Sequence, residues 1–146
     1  MAQPADLPIS LTRSPSFQIE RVRRHTKEEV ERALERHGTS MREFWILSCV
    51  IEQPHSQRQL AEILAIDASD MVRLVDSLED HDWVTRDRDP KDRRRQLVTA
   101  TKKGAKAYPA LAKDIAAAED RALDMSSSKQ LKSLKKLSKA ILEEES

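Results

Sequence analysis

Only two glycines, Gly38 and Gly104, occur in 146 residues, and they lie far apart. A loop that cradles phosphates on its backbone N–H groups needs glycines close together, so nucleotide loops of that kind are excluded. The single cysteine, Cys49, rules out an internal disulfide and suits a reducing compartment. Four histidines, His25, His37, His55 and His81, show no paired spacing and have no second cysteine to join, so no metal site is expected. No stretch approaches the ~20 apolar residues that cross a bilayer. No apolar signal core follows Met1, so a cytoplasmic protein without membrane contact is expected. No nucleophile and base stand in a recognisable pair, so the chain is not read as an enzyme and no cofactor is expected.

What is abundant is charge. Charged residues make up 35% of the chain against 38% hydrophobic, a balance that suits an elongated helical protein completing its core with a second copy. The net charge is only +1, but the charge is unevenly placed. Residues 86–106 hold nine Lys or Arg against three Asp. Two short β-prone runs, 83–86 and 96–99, flank a loop of Arg, Asp and Pro90, which reads as a hairpin tip that no core could absorb. Cations packed this densely repel one another and call for an external anion, for which a phosphate backbone is the best fit.

The segment before the hairpin predicts two short helices with a tight joint. Ser56 and Gln59 form a capping box ahead of Leu60, Ala61, Ile63 and Leu64. Residues 65 and 66 make the turn, and Asp67 is a good N-cap for a helix burying Met71, Leu74, Val75 and Leu78. Helix, turn, helix and charged hairpin is the order of a winged helix-turn-helix. Elsewhere, Pro4, Pro8 and Pro15 predict an extended or flexible arm over 1–15. A helix runs from Phe17 until Gly38 stops it, and Ser40 with Glu43 caps another from Met41 to Glu52. Thr101 opens a long helix toward Leu123, with Pro109 expected to kink its first turns. Ser127 with Gln130 starts a last helix whose Leu131, Leu134, Leu137, Ile141 and Leu142 form one stripe.

Asp92-x-Arg94, then Ala100-Thr101 and Gly104 at the right intervals, resembles the DxR…LTxxG signature of MarR-family transcriptional regulators. The run QLAEILAIDASDMVRLVDSLEDHDWVTR is similar to that family's DNA-binding helices leading into the wing, and the likeness covers roughly residues 17–144. Three residues depart from the pattern: Ala65 and Asp82 stand where the family favours Gly, and Ala100 where it has Leu or Val. The fold so implied is mainly α with a small β-wing. Residues 39–104 form the winged helix-turn-helix region, with the helix-turn-helix at 56–81 and the wing at 83–100. Residues 16–38 and 105–146 supply dimerisation helices from both chain ends.

The resemblance implies a homodimeric repressor on a near-palindromic double-stranded DNA operator, released by a small ligand or an oxidant. Arg94 is expected in the minor groove, oriented by Asp92 and accompanied by Arg93. Ala68, Ser69, Asp70 and Arg73 occupy the first turns of the recognition helix, where base edges are read. Phosphate contacts are expected from Ser56, Gln57, Arg58, Arg88, Lys91 and Arg95, and Arg93 beside Arg94 is read as a phosphate partner too. The six acids between 67 and 82 leave the wing to supply most of the attraction. A pocket for a phenolic or other anionic effector would take Phe17, Arg21, His37, Arg42 and Trp45, by position. Cys49 has two readings, a redox thiol and a buried structural cysteine, and the apolar run around it favours the second. The alternative function is a winged-helix module that binds protein and not DNA.

Overall fold

The computed structural model describes residues 7–145. Helices α1 (Ile9–Thr12), α2 (Pro15–Leu34), α3 (Met41–Glu52), α4 (Gln57–Leu64) and α5 (Ala68–Asp80) precede a hairpin of β1 (Val84–Arg88) and β2 (Gln96–Ala100). Helices α6 (Lys102–Ala122) and α7 (Ser128–Glu145) complete the chain. This is the mainly helical, small-winged architecture expected.

Local chemistry places the boundaries. Ser40 with Glu43 and Ser56 with Gln59 both close as reciprocal capping boxes, each satisfying two N–H groups that the helix leaves unpaired. Ser127 and Gln130 exchange the same pair of bonds at the start of α7. Gly38 ends the α2 segment at φ 66°, after a short 3-10 turn over Glu35–His37. Ala65 and Asp82 also take positive φ, 52° and 60°, so both occupy the left-handed conformation for which glycine is better suited.

One sequence expectation changes. Over its described residues the 1–15 arm contains a helical turn, Ile9–Thr12, because Pro8 serves as an N-cap with extended backbone. Pro15 then opens α2, where its missing N–H costs nothing. Residues 1–6 of the expected arm lie outside the described residues. Pro109 sits inside α6, which runs from Lys102 to Ala122.

The chain divides into two compact units, residues 30–117 and residues 7–29 with 118–145. The first has a full core. Leu34, Ile46, Leu47, Leu60, Met71, Val75, Leu78, Val84, Val98 and Leu111 are almost wholly buried in it. Phe44 and Tyr108 stack at 5.0 Å, and the Tyr108 hydroxyl meets Ser48 Oγ at 3.1 Å. The second unit buries only Ala118 and Ala122 among its apolar residues, while Ile19, Val22 and the entire α7 stripe stay exposed. Burial is what drives folding, so this unit is incomplete as it stands.

Candidate nucleic-acid interface

The helix-turn-helix is held by its own short-range bonds. Leu60 and Ile66 are buried, and Ile66 N–H donates to Ala61 O at 3.0 Å across the joint. Asp67 accepts from Ser69 N–H at 2.7 Å and from the Ser69 hydroxyl at 2.8 Å. Those bonds hold the Asp67 carboxyl below the usual carboxylate range. Met71, Val75 and Leu78 turn into the core, which leaves Ala68, Ser69 and Arg73 exposed on the outer face of α5.

Two of the base-reading candidates on α5 are engaged with one another. Arg73 pairs with Asp70, and Arg42 approaches the same carboxylate at 3.4 Å. Arg42, expected in the effector pocket, therefore sits beside the recognition helix. Ser56, expected as a phosphate contact, is buried with its hydroxyl in the capping box, whereas Arg58 is exposed and pairs with Glu62 at 3.4 Å.

The wing is an antiparallel hairpin in the register Val84↔Ala100, Arg86↔Val98, Arg88↔Gln96. Its two faces differ, as the strand period requires. Val84, Arg86 and Val98 face the helices, while Thr85 and Asp87 are exposed. His55 widens the sheet locally through two backbone bonds to Val98, at 2.7 and 3.2 Å. At the other end, the Thr101 hydroxyl donates to Asp82 O at 2.6 Å and accepts from Gly104 N–H at 3.0 Å, tying the wing to the start of α6.

Aspartates shape the wing tip. Asp92 Oδ1 accepts from Arg94 N–H at 3.1 Å and from Arg94 Nε at 3.3 Å, so one carboxylate orients both backbone and guanidinium. The Arg94 side chain is nonetheless 93% exposed. Asp89 accepts from Lys91 N–H at 2.9 Å and lies 4.0 Å from Arg95 Nε. Arg88 donates to Arg93 O at 2.9 Å. Between the wing and the start of α4 lies a recess of about 430 Å³ lined by Arg86, Arg88, Arg93, Arg94 and Arg95, with no carboxylate in its lining. Asp76, Glu79, Asp92 and Asp89 pair with Arg86, Arg94 and Arg95 from outside the lining, so Arg88, Arg93 and the protruding Arg94 head carry the positive potential of this concavity.

Sequence reasoning left Arg86 unassigned. It is the most heavily bonded of the wing arginines, meeting Gln57, Val72, Asp76 and Glu79. The signal was present as Val72, Asp76 and Glu79 at helical spacing, but it needed the strand's register to connect it.

The remaining candidates fall in both units. Phe17 and Arg21 belong to one unit and cover each other, the guanidinium 5.3 Å from the ring centre. His37, Arg42 and Trp45 belong to the other, where His37 Nε2 meets Asp114 Oδ2 at 2.6 Å. Cys49 is half-buried and burial pushes its thiol up, which disfavours the reactive thiolate. Among the described residues, no group of three His, Cys, Asp or Glu side chains is placed to hold a metal, and no helix is long and apolar enough to cross a membrane.

The sequence model of the MarR family matches residues 37–95. CouR from Rhodococcus jostii, bound to p-coumaroyl-CoA, is similar at 28% identity and TM-score 0.80, over 92% of this chain and 95% of that one. A MarR-family transcriptional regulator from Rhodococcus sp. is 26% identical at TM-score 0.80, over 93% and 97%. A mutant MarR from E. coli complexed with operator DNA shares the fold at 21% identity and TM-score 0.77, over 92% and 94%. Among curated proteins none matches. The family match spans the helix-turn-helix, β1 and the wing tip, and the whole chain is similar in fold to MarR-family regulators, so the chain has the winged-helix fold of that family's transcriptional regulators.

Proposed function

We propose that the protein is a homodimeric, sequence-specific DNA-binding repressor that acts in the cytoplasm on a near-palindromic operator and is released by a small anionic ligand. One observation carries the DNA-binding reading. The exposed, Asp92-oriented Arg94 stands at the rim of a recess that Arg88 and Arg93 also line, neither of them paired with a carboxylate there. A planar, pre-oriented guanidinium suits a narrow minor groove, and the recess suits the phosphates flanking it. A protein-binding wing has no need of that arrangement.

The dimer reading rests on the unit formed by residues 7–29 and 118–145. Its exposed Ile19, Val22, Leu131, Leu134, Leu137, Ile141 and Leu142 lack a core of their own, and a two-fold partner offers the same surface in return. Two recognition helices then meet half-sites about one helical turn apart. Ligand release is favoured over oxidation because burial keeps the Cys49 thiol protonated, and CouR is bound to an acyl-CoA.

The experiment is binding to selected genomic fragments at several salt concentrations. Arg94→Ala should weaken operator binding by roughly 1–3 kcal/mol with helicity intact. Arg93→Ala should weaken every duplex alike and lower the salt slope by about one unit for each phosphate left without its cation. Arg73→Ala should cost about 1–3 kcal/mol on the correct site and much less on one altered at the position it reads. Wild-type affinity from Arg94→Ala would overturn the minor-groove role.

A further inference from the structure

Arg86 is the odd member of the basic wing, because its side chain is only 19% exposed. Nε donates to Gln57 Oε1 at 2.7 Å, and Nη1 donates to Glu79. Nη2 reaches Asp76 Oδ1 at 2.8 Å and the Val72 carbonyl oxygen at 3.2 Å. These four partners belong to the first residue of α4 and to three positions of α5. Val72, Asp76 and Glu79 recur at steps of four and three, so they line one face of the recognition helix. One guanidinium thus spans a wing strand and both helices of the helix-turn-helix.

We propose that Arg86 is a positioning residue that locks the wing to the recognition helix, so that Arg94 and the start of α5 meet one duplex as a rigid pair. The proposal rests on the DNA-binding reading above. A guanidinium has five N–H donors in a fixed fork, and here it spends them on four protein partners, leaving little with which to hold a phosphate. Only His81, Asp82 and Trp83 join α5 to β1, with Asp82 in the left-handed region. His55 and Thr101 hold the base of the hairpin, but a two-stranded ribbon is marginal beyond such support, so a lateral tie further out helps to fix its direction. Arg86 faces the helices beside Val98, its partner in register, and supplies that tie. The same contacts answer the charge problem of α5. Asp76 and Glu79 would repel phosphates, yet here they anchor the wing that attracts them. Once the recognition helix has docked, a fixed wing engages its groove as an intramolecular event at high effective concentration, and a loose wing loses that gain.

The test is a double-mutant cycle on the full-length chain, read by fluorescence anisotropy with an operator fragment selected from genomic DNA. In the wild-type background Arg94→Ala should weaken binding about 10-fold or more. In an Arg86→Met background the same change should cost less than about threefold, because the unanchored wing no longer delivers Arg94. Arg86→Lys keeps the charge without the fork and should behave like Arg86→Met. Asp76→Asn combined with Glu79→Gln provides the second route, should Arg86→Met fail to fold. Removing two negative charges from a DNA-facing helix would by bulk electrostatics tighten binding, whereas the tie requires weaker binding and a smaller Arg94 effect. Circular dichroism and sedimentation check that each variant keeps its fold and assembly. An Arg94→Ala effect of equal size in every background overturns the positioning role while leaving DNA binding intact. A wild-type protein that shifts no genomic duplex removes the DNA-binding reading, and this inference with it.

Discussion

Gly104 is the third residue of α6, where helix propensity alone favours alanine by about 1 kcal/mol. The structure reverses that sign. A Cβ added there would lie 2.1 Å from the Trp83 carbonyl oxygen, 2.9 Å from its carbonyl carbon and 3.0 Å from its Cα. Carbon and oxygen rarely approach closer than ~3.3 Å, so helix and strand must part by about 1 Å. The parting strains a closed set of bonds. Trp83 O accepts from Thr101 N–H at 3.0 Å, while the Thr101 hydroxyl joins Gly104 N–H to Asp82 O. Overpacking against backbone costs about 1–3 kcal/mol and a broken hydrogen bond about 1 kcal/mol. After the gain in propensity, Gly104→Ala should destabilise by about 2 kcal/mol. In a chain of 146 residues that lowers the melting temperature by roughly 4–8 °C. Thermal melts of both proteins by circular dichroism, at one concentration, measure it. A variant that melts at or above the wild-type temperature would show that the junction yields freely and that the close approach has no energetic weight.

Three other perturbations have definite expected outcomes. Leu134→Asp with Ile141→Asp puts charge into the exposed α7 stripe and should yield monomers that no longer bind DNA; a stable dimer by sedimentation would remove α7 from the interface. Ala65→Gly relieves a left-handed alanine at φ 52° and should stabilise by about 0.5–1 kcal/mol, raising the melt by about 1–3 °C. A lower melt would mean that the turn is not strained. Hydrogen bonds from Arg36 and His37 hold the Asp114 carboxyl below its usual range. A lowered folded value gives stability that is whole above the unfolded value and fades as pH falls through the folded one, so Asp114→Asn should flatten the acid limb below about pH 4. An unchanged acid limb in melts across that range would contradict it.

Features that depend on near neighbours were legible before any fold was known. Ser40 with Glu43, Ser56 with Gln59 and Ser127 with Gln130 mark helix starts because a capping box closes within four residues. The pairing of Asp92 with Arg94 came from the resemblance to the DxR signature, and the structure closes it within three residues. Tertiary structure decided which member of a basic cluster does what. Arg86 and Arg94 look alike in the chain, but strand register turns one toward Asp76 and Glu79 and leaves the other in solvent. It also decided that Arg42 meets Asp70, 28 residues away, and that His81 stacks on Trp83 at 4.2 Å while its Nε2 meets Gly38 O at 2.8 Å. The periodicity of α7 announced an apolar stripe, but periodicity carries no information about what covers it. Only the folded chain, with Leu134, Leu137 and Ile141 still exposed, shows that residues 7–29 and 118–145 lack the partners to bury it.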